Sequence, residues 1–547
     1  MKSCYVVWGR LMNAGTGHTR FTADRILHLI ILVAGLSIFL ISQWTFRDTI
    51  EDDAYISFRY ARNWLEGHGL VYNPGERVEG YTNLLWVLIL AGLNAIGVDF
   101  ESAAMILGVV IGSLLLLLIA IQNPIARSAY SDDISSVHQF PQTGALVALM
   151  LGLNPAFQAE AAMGLETLLF TFLVTMGVWS AARDFVSHDC SIRTVLWLAP
   201  TAWTRPEGIW IGALVLLIQC LQLIRTQRLS LKRLRGTMLF VIAVTAIEVF
   251  RYLYYGDWFP NTFAAKTGNG LNQLIRGWGY MRHFLSQFTY PAAAVVLVVP
   301  FMSGPFRRFT RIPAIWLMLY FVYIVAVGGD YKPTHRFFIA ALPTLYLFLV
   351  LFIRDFSLRM SRFAPASMSR SVPNLITVAL AGLYLAVSVP LHRETQEFMQ
   401  ACKAKIRIDR ACSDWLIRNA SPTETLATEV AGRIPFYTGM VTYDMSGLND
   451  RHIARNAIPF DGMLPAGHDR TDAPYIVARR PDYILFHSIL VTGEPDPDLR
   501  GRQINYFESE LWKVKAFHDQ YQLMSVRLND QAYFNFFRRI DLERGTP

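Results

Sequence analysis

Tyr81–Gln122 reads YTNLLWVLILAGLNAIGVDFESAAMILGVVIGSLLLLLIAIQ, two apolar runs parted by a short polar step. The second run, Ala103–Gln122, carries no charge over about the 20 residues that cross a hydrocarbon core. Ile26–Phe46, His283–Phe306, Ile312–Gly329 and Ser371–His392 have the same character. The whole chain has 547 residues, 53% hydrophobic and 17% charged, where soluble domains run near one-quarter charged. A soluble globular protein is excluded, and the pattern predicts a polytopic α-helical membrane protein.

The net charge of +8 is spread as short basic clusters between apolar segments, which is how loops bias topology and not how a nucleic-acid face is built. Cys4, Cys190, Cys220, Cys402 and Cys412 form no CxxC and no cysteine–histidine framework, so neither a zinc site nor a disulfide scaffold is expected. On one helix Cys402 and Cys412 would stand about 15 Å apart, too far to bridge.

The first run, Tyr81–Ile96, decides the topology. Lys2, Arg10, Arg20 and Arg25 precede the span at 26–46, which is longer than a cleavable signal's apolar core of about 7–15 residues, so the chain is expected to start in the cytoplasm. The clusters Arg225/Arg228/Lys232/Arg233/Arg235, Arg307/Arg308/Arg311 and Arg354/Arg359/Arg362/Arg370 should then share the cytoplasmic side. Counting Tyr81–Ile96 as a span puts all three outside, and counting it as an in-plane helix puts all three inside. It is therefore read as juxtamembrane. Eleven spans follow, at 26–46, 102–122, 143–156, 164–182, 194–206, 208–224, 237–254, 285–302, 312–328, 337–353 and 373–391. The span at 194–206 is weak, because its roughly 11 uncharged residues rise only about 16 Å.

The chain thus divides into a cytoplasmic segment 1–25, a membrane domain 26–391 and an extracytoplasmic α+β domain 392–547. In the last, Glu394–Ile417 reads as a helix, and Pro481–Phe486, Tyr521–Arg527 and Tyr533–Phe537 read as strands, the last two parted by the turn signal Asn529–Asp530.

This topology collects the unusual polar residues in the outer loops. Glu51, Asp52 and Asp53 form an acidic triplet; adjacent carboxylates at a membrane surface repel, so one takes up a proton or both share a cation. That suits a general base or a divalent metal site, while a helix cap before Ala54–Leu65 is the structural alternative. Arg205, Lys266, Lys332 and Arg336 stand at the outer boundary, where they can grip a phosphate headgroup or merely snorkel. Arg251, one turn from Glu248, is a further phosphate candidate or half of a structural ion pair. Glu51, Tyr81, Glu166, Glu207, Asn261, Asp330 and His335 are expected to line the same cleft, with Trp64, Tyr72, Trp86, Trp258 and Tyr331 available to stack on sugars or to serve as an interfacial belt.

Glu51–Trp86, EDDAYISFRYARNWLEGHGLVYNPGERVEGYTNLLW, resembles the first extracytoplasmic loop of the GT-C glycosyltransferases typified by the mycobacterial terminal β-(1→2) arabinofuranosyltransferases. Thr204–Gly208 (TRPEG), Asn261–Thr267 (NTFAAKT) and Gly328–Phe337 (GGDYKPTHRF) look like that family's later loop motifs. Gly432–Pro435, Tyr443-Asp444, Gly447–Asp450 and Arg479–Leu485 are similar to its tail. The resemblance implies a GT-C fold with juxtamembrane helices in the first outer loop. It implies transfer of a sugar, arabinofuranose or another pentose or hexose, from a polyprenyl-phosphate donor to a glycan or lipid acceptor outside a bacterial inner membrane. It also places Asp52 and Asp53 at the catalytic position, either being the base. The rival classes are a polyprenyl-lipid transporter or flippase, against which stand the absence of an inverted repeat and the one-sided polar cluster, and an envelope scaffold, in which both aspartates would be replaceable.

Overall fold

A computed structural model describes residues 25–122, 142–187, 191–228, 230–287, 306–361, 372–460, 464, 466–495 and 505–540. Among these, six helices are long and apolar enough to cross a membrane: Arg25–Thr45, Phe100–Ile121, Thr167–Ser187, Glu207–Arg225, Leu234–Tyr255 and Phe309–Val327. A seventh is added if Thr143–Leu153 and Pro155–Ala162, bent by 68°, are one broken span. Asn154 makes that bend. Its extended backbone ends one helix, its side chain accepts a hydrogen bond from Phe157 N to cap the next, and Pro155 occupies the first position, where its missing N–H is harmless.

The remaining expected spans differ in form. The 194–206 segment is the helix Ile192–Thr204, 13 residues with Pro200 inside, and 337–353 falls in Leu342–Ser361, whose apolar part Leu342–Ile353 is short. The 285–302 span lies mostly outside the described residues. The last span and the helix expected at 394–417 are one continuous helix, Val372–Asn419, whose 48 residues rise about 72 Å.

Leu84–Ala95 has 12 residues, about 18 Å, so it cannot span a roughly 30 Å core. It packs on Asp52–Leu65 and on Phe100–Gln122, and the Trp86 indole donates to Gly164 O at 3.1 Å. Tyr55, Phe58, Tyr60, Tyr72, Tyr81 and Trp86 form a buried aromatic cluster around these two helices, separate from the bundle core that includes Trp179, Trp316 and Phe348. The juxtamembrane reading of Tyr81–Ile96 agrees with this geometry.

Among the described residues the C-terminal part holds six strands: β1 Thr425–Thr428, β2 Val441–Asp444, β3 Tyr483–Leu485, β4 Val491–Thr492, β5 Tyr521–Asn529 and β6 Ala532–Arg539. Their order is β2-β1-β3-β6-β4, with β5 on β6. β1 lies parallel to β2 and β3, while β6 is antiparallel to β3, β4 and β5. The expected β5–β6 hairpin turns at Asp530 and Gln531. Cys220, Cys402 and Cys412 are free thiols.

Arg59 ties this domain to the first loop. Although only 1% exposed, its guanidinium donates to Tyr72 O (2.6 Å), Pro435 O (2.6 Å), Met440 O (2.8 Å) and Asn73 Oδ1 (3.0 Å). Removing this donor set takes a charge-assisted partner from four buried acceptors, each of which keeps one further donor (Asn63 Nδ2, Gly439 N, Thr442 Oγ1 and Thr442 N), so each lost bond costs about 1 kcal/mol. Arg59→Met is expected to destabilise the protein by roughly 3–5 kcal/mol and to open the 432–442 region to limited proteolysis in detergent. An unchanged melting temperature and digestion pattern would contradict this.

Candidate active site

The site begins with the start of the helix Asp52–Leu65. Glu51 occupies the cap position with extended backbone but makes no side-chain cap bond; Asp52 and Asp53 follow as the first helical residues. Neither aspartate is therefore the cap. Both gain from the positive end of the helix dipole, and successive residues point about 100° apart around the axis, so the two carboxyls face different neighbours.

Asp52 faces the C-terminal domain. Its Oδ2 accepts from Gly432 N at 3.0 Å and its Oδ1 from Arg433 N at 2.9 Å. Asp53 faces the loop 328–336 and is about one-third exposed, with a 34% accessible side chain. Its Oδ2 accepts from Lys332 Nζ at 3.0 Å and from Arg336 Nη1 at 3.1 Å. Lys332 is fully buried and also stands 3.5 Å from Glu51 Oε1; Arg336 is ion-paired through Nε with Asp330.

The loop's sequence explains this convergence. Gly328 and Gly329 adopt φ of 88° and 66°, and a Cβ on Gly329 would meet the Tyr280 ring at 2.6 Å, so only glycine turns the chain here. Thr334 Oγ1 donates to the buried Glu160 Oε1 at 2.7 Å, holding the loop against the broken helix. His335, at φ 50°, turns from the cluster to meet His283, Nε2 to Nδ1 at 3.0 Å, beneath Tyr280. Burial and the neighbouring His283 hold His335 down to about 3, so it stays neutral at physiological pH.

Charge balance sets the chemistry. Burial raises the Asp53 carboxyl, but Lys332, Arg336 and Lys266 outweigh it and hold Asp53 well below the usual carboxylate range. Burial likewise lowers Lys332, yet Asp53 and Glu51 win and raise it. Lys266 goes the other way: burial and Arg336 push its ammonium down. Among the described residues Lys266 has no acidic partner within 4.0 Å, and its stem lies along Gly467. His468, whose titration feels both Asp53 and Lys266, packs edge-on against Tyr331 at 5.4 Å.

Not every expected residue joins this cluster. Arg205 is paired with Glu207 at 2.9 Å and Glu166 at 3.7 Å, and Asn83 Nδ2 donates to Glu166 at 2.8 Å, so three of the expected residues form their own buried group. Arg251 is held by Glu79 and Glu248, each at 2.7 Å, which is the ion-pair alternative, with Glu79 as an added partner. Asn261 Nδ2 donates to Gly447 O at 2.9 Å and Leu448 O at 3.0 Å, docking the C-terminal domain. Tyr81 is buried with its hydroxyl 3.0 Å from that of Tyr255. A divalent ion at the Asp52/Asp53 pair does not fit: the two carboxyls diverge, one taken by backbone N–H groups and the other ringed by cations. Among the described residues no group of three His, Cys, Asp or Glu side chains is arranged to hold a metal.

The sequence reading passed over Glu160, Asp409, Arg433 and His468. Arg433 lies within the Gly432–Pro435 segment quoted for the resemblance, a local signal without a role.

The chain resembles known proteins over different lengths. A family model described as a domain of unknown function (DUF8728) matches residues 396–537. The chain is 26% identical over 287 residues to a terminal β-(1→2)-arabinofuranosyltransferase of Mycobacterium tuberculosis, covering 46% of this chain and 40% of that one. It is 26% identical over 365 residues to the protein of the same name in Corynebacterium glutamicum, covering 58% and 49%. The chain thus spans less than half the length of these relatives. Its fold is that of ArnT from Cupriavidus metallidurans, solved bound to undecaprenyl phosphate: TM-score 0.54 at 12% identity, over 92% of this chain and 97% of that one.

Because Asp53 titrates lower when folded than when unfolded, its pairing contributes stability that is complete above the unfolded value near 3.9 and fades as pH falls through it. The melting-temperature gap between wild type and Asp53→Asn should be constant above about pH 5 and shrink below about pH 4. A gap unchanged down to pH 3 would show that Asp53 is not held by these cations.

Proposed function

We propose that this chain is a polyprenyl-phosphate-dependent glycosyltransferase of GT-C type, set in a bacterial inner membrane with its site and residues 392–547 outside. Residues 26–391 form the membrane-embedded part. The observation that carries the reading is the convergence of three cations on Asp53: Lys332 and Arg336 lie within 3.1 Å of its carboxylate, whereas Lys266 has no carboxylate within 4.0 Å among the described residues. Burial disfavours the charge of the half-buried Lys266 ammonium more than Asp53 and Asp330 favour it, and an arriving phosphate relieves that cost. The ArnT-like fold and the similarity to arabinofuranosyltransferases support the same donor class.

In this mechanism the donor phosphate binds Lys266 and draws Lys332 and Arg336 towards itself. Asp53, losing part of that pairing, becomes a stronger base. It takes the proton of the acceptor hydroxyl as that oxygen bonds to the anomeric carbon and the sugar–phosphate bond breaks. The electron pair leaves on the polyprenyl phosphate, whose negative charge the same three cations stabilise. Asp52 keeps the helix start in place. The names of the relatives make an arabinofuranosyl donor the first to assay, with an envelope glycan or lipid as acceptor.

Purified protein in nanodiscs should release free polyprenyl phosphate when given both donor and acceptor. Asp53→Asn is expected to lower turnover by about 10²–10⁴-fold. Lys266→Met should raise the donor KM roughly 10–100-fold, the value of a charge-assisted hydrogen bond, with a smaller change in kcat. Full transfer by Asp53→Asn, or donor movement across the bilayer without release of polyprenyl phosphate, would sink the reading.

A further inference from the structure

We propose that Gly432 and Arg433, on the C-terminal domain, are positioning residues for Asp53, so that this domain is part of the catalytic apparatus. The proposal rests on the transferase reading above and adds to it the part played by the second domain.

Asp52 receives both of its backbone hydrogen bonds from the Gly432–Arg433 turn. The Arg433 side chain, 1% exposed, stands 2.6 Å from Asp409 Oδ2 and 3.6 Å from Asp52 Oδ1, and donates to Ile50 O at 3.4 Å. One guanidinium thereby joins the long helix Val372–Asn419, the strand-end turn of the C-terminal domain and the residues leading into the first-loop helix. The fit is tight. A Cβ on Gly432 would lie 2.1 Å from Asp52 O and 2.4 Å from its Oδ2.

Asp52 and Asp53 are consecutive helical residues, so fixing the direction of one fixes the other. Asp53 must meet Lys332, which is fully buried and cannot follow it far, and Arg336, which is held by Asp330. Among the described residues Arg433 makes its polar contacts with Asp52, Asp409 and Ile50 O and none with Asp53, so it acts on the cleft through the residues that lead into the first-loop helix. Docking of the two domains is already served by the buried hydrogen bonds of Arg59 and Asn261 to backbone carbonyls. A guanidinium shared by two carboxylates at the root of the helix does more, since it sets an angle.

The groups facing Asp53 are Lys332 and Arg336 from the 328–336 loop, with Tyr331 and Asp330 beside them, Lys266 from the helix Asn261–Lys266, Glu51 across Lys332, and His468 from the C-terminal domain. A misaimed Asp53 loses its cation contacts first, and its proton affinity rises. The acid limb of kcat/KM, which reports the free enzyme's base, moves to higher pH.

The test uses full-length protein in nanodiscs, with Asp53→Asn assayed in parallel. Arg433→Gln and Gly432→Ala are expected to lower kcat by roughly 10²-fold, the effect of about 1 Å of misplacement, with donor KM within about twofold of wild type. Both should also raise the acid limb. Arg433→Lys, which can keep one carboxylate contact and not two, should recover part of the loss and serves if Arg433→Gln does not fold. Wild-type kcat in folded Arg433 variants beside an inactive Asp53→Asn would overturn this proposal alone. So would a fall in kcat with the acid limb unmoved, which marks a role in domain stability only. Full transfer by Asp53→Asn would remove the base assignment and this proposal with it.

Discussion

A carboxylate at the buried start of a helix stays charged only if cations come to it, and loops distant in sequence are arranged to bring them. Asp53 is met by Lys332 and Arg336 from a loop 279 and 283 residues away in sequence. That loop reaches the helix only because the two glycines at its start reverse the chain and Thr334 anchors it to Glu160. Glu51 and Asp330 share the same cations from either side. Breaking one member of such a group leaves a buried charge unpaired, which costs more than the pair itself contributes.

The adjacent aspartates do unlike work because a helix separates neighbouring side chains by about 100°. One turns into the cleft and the other to the C-terminal domain. The hydrogen bonds of Arg59, Asn73, Asn261 and Asp52 to backbone groups of residues 432–450 then form one continuous seam. Backbone partners are indifferent to side-chain identity on the far side, so the seam constrains geometry more than it constrains the sequence of the domain it holds.

Much of this was legible in the chain. Long uncharged runs identify membrane helices because lipid offers backbone groups no partner, and Leu84–Ala95, at 12 residues, is too short for a full span, as the juxtamembrane reading expects. The convergence of the GGDYKPTHRF loop on the acidic triplet also followed from where the loops must lie. Pair assignments did not. Whether Arg205 or Arg251 is a spare cation depends on Glu207, Glu166 and Glu79, which meet them only after folding. Strands β1 and β2, four residues each, are too short for a period-two signal, so the parallel part of the sheet was invisible. The Arg433–Asp409 pair joins residues 24 apart whose facing is fixed by the turn between them.

The contrast between Lys332 and Lys266 follows from the same electrostatics. Both lie beside Arg336, and both bear a desolvation cost, because burial disfavours the charge of each, the fully buried Lys332 and the half-buried Lys266. Lys332 recovers it from two carboxylates and is raised; Lys266 recovers little and is lowered. A site meant only to be stable would pair every cation or replace it with an apolar side chain. Leaving one unpaired sacrifices folding energy in a form that an anionic ligand can return on binding, and the ligand that returns most is one with several oxygens able to reach Lys266, Lys332 and Arg336 together. In the proposed reaction the bond that breaks puts a further negative charge on that same group. The imbalance that weakens the resting fold therefore favours the product side of the bond-breaking step more than the substrate side, which is the sense in which a binding site becomes a catalytic one.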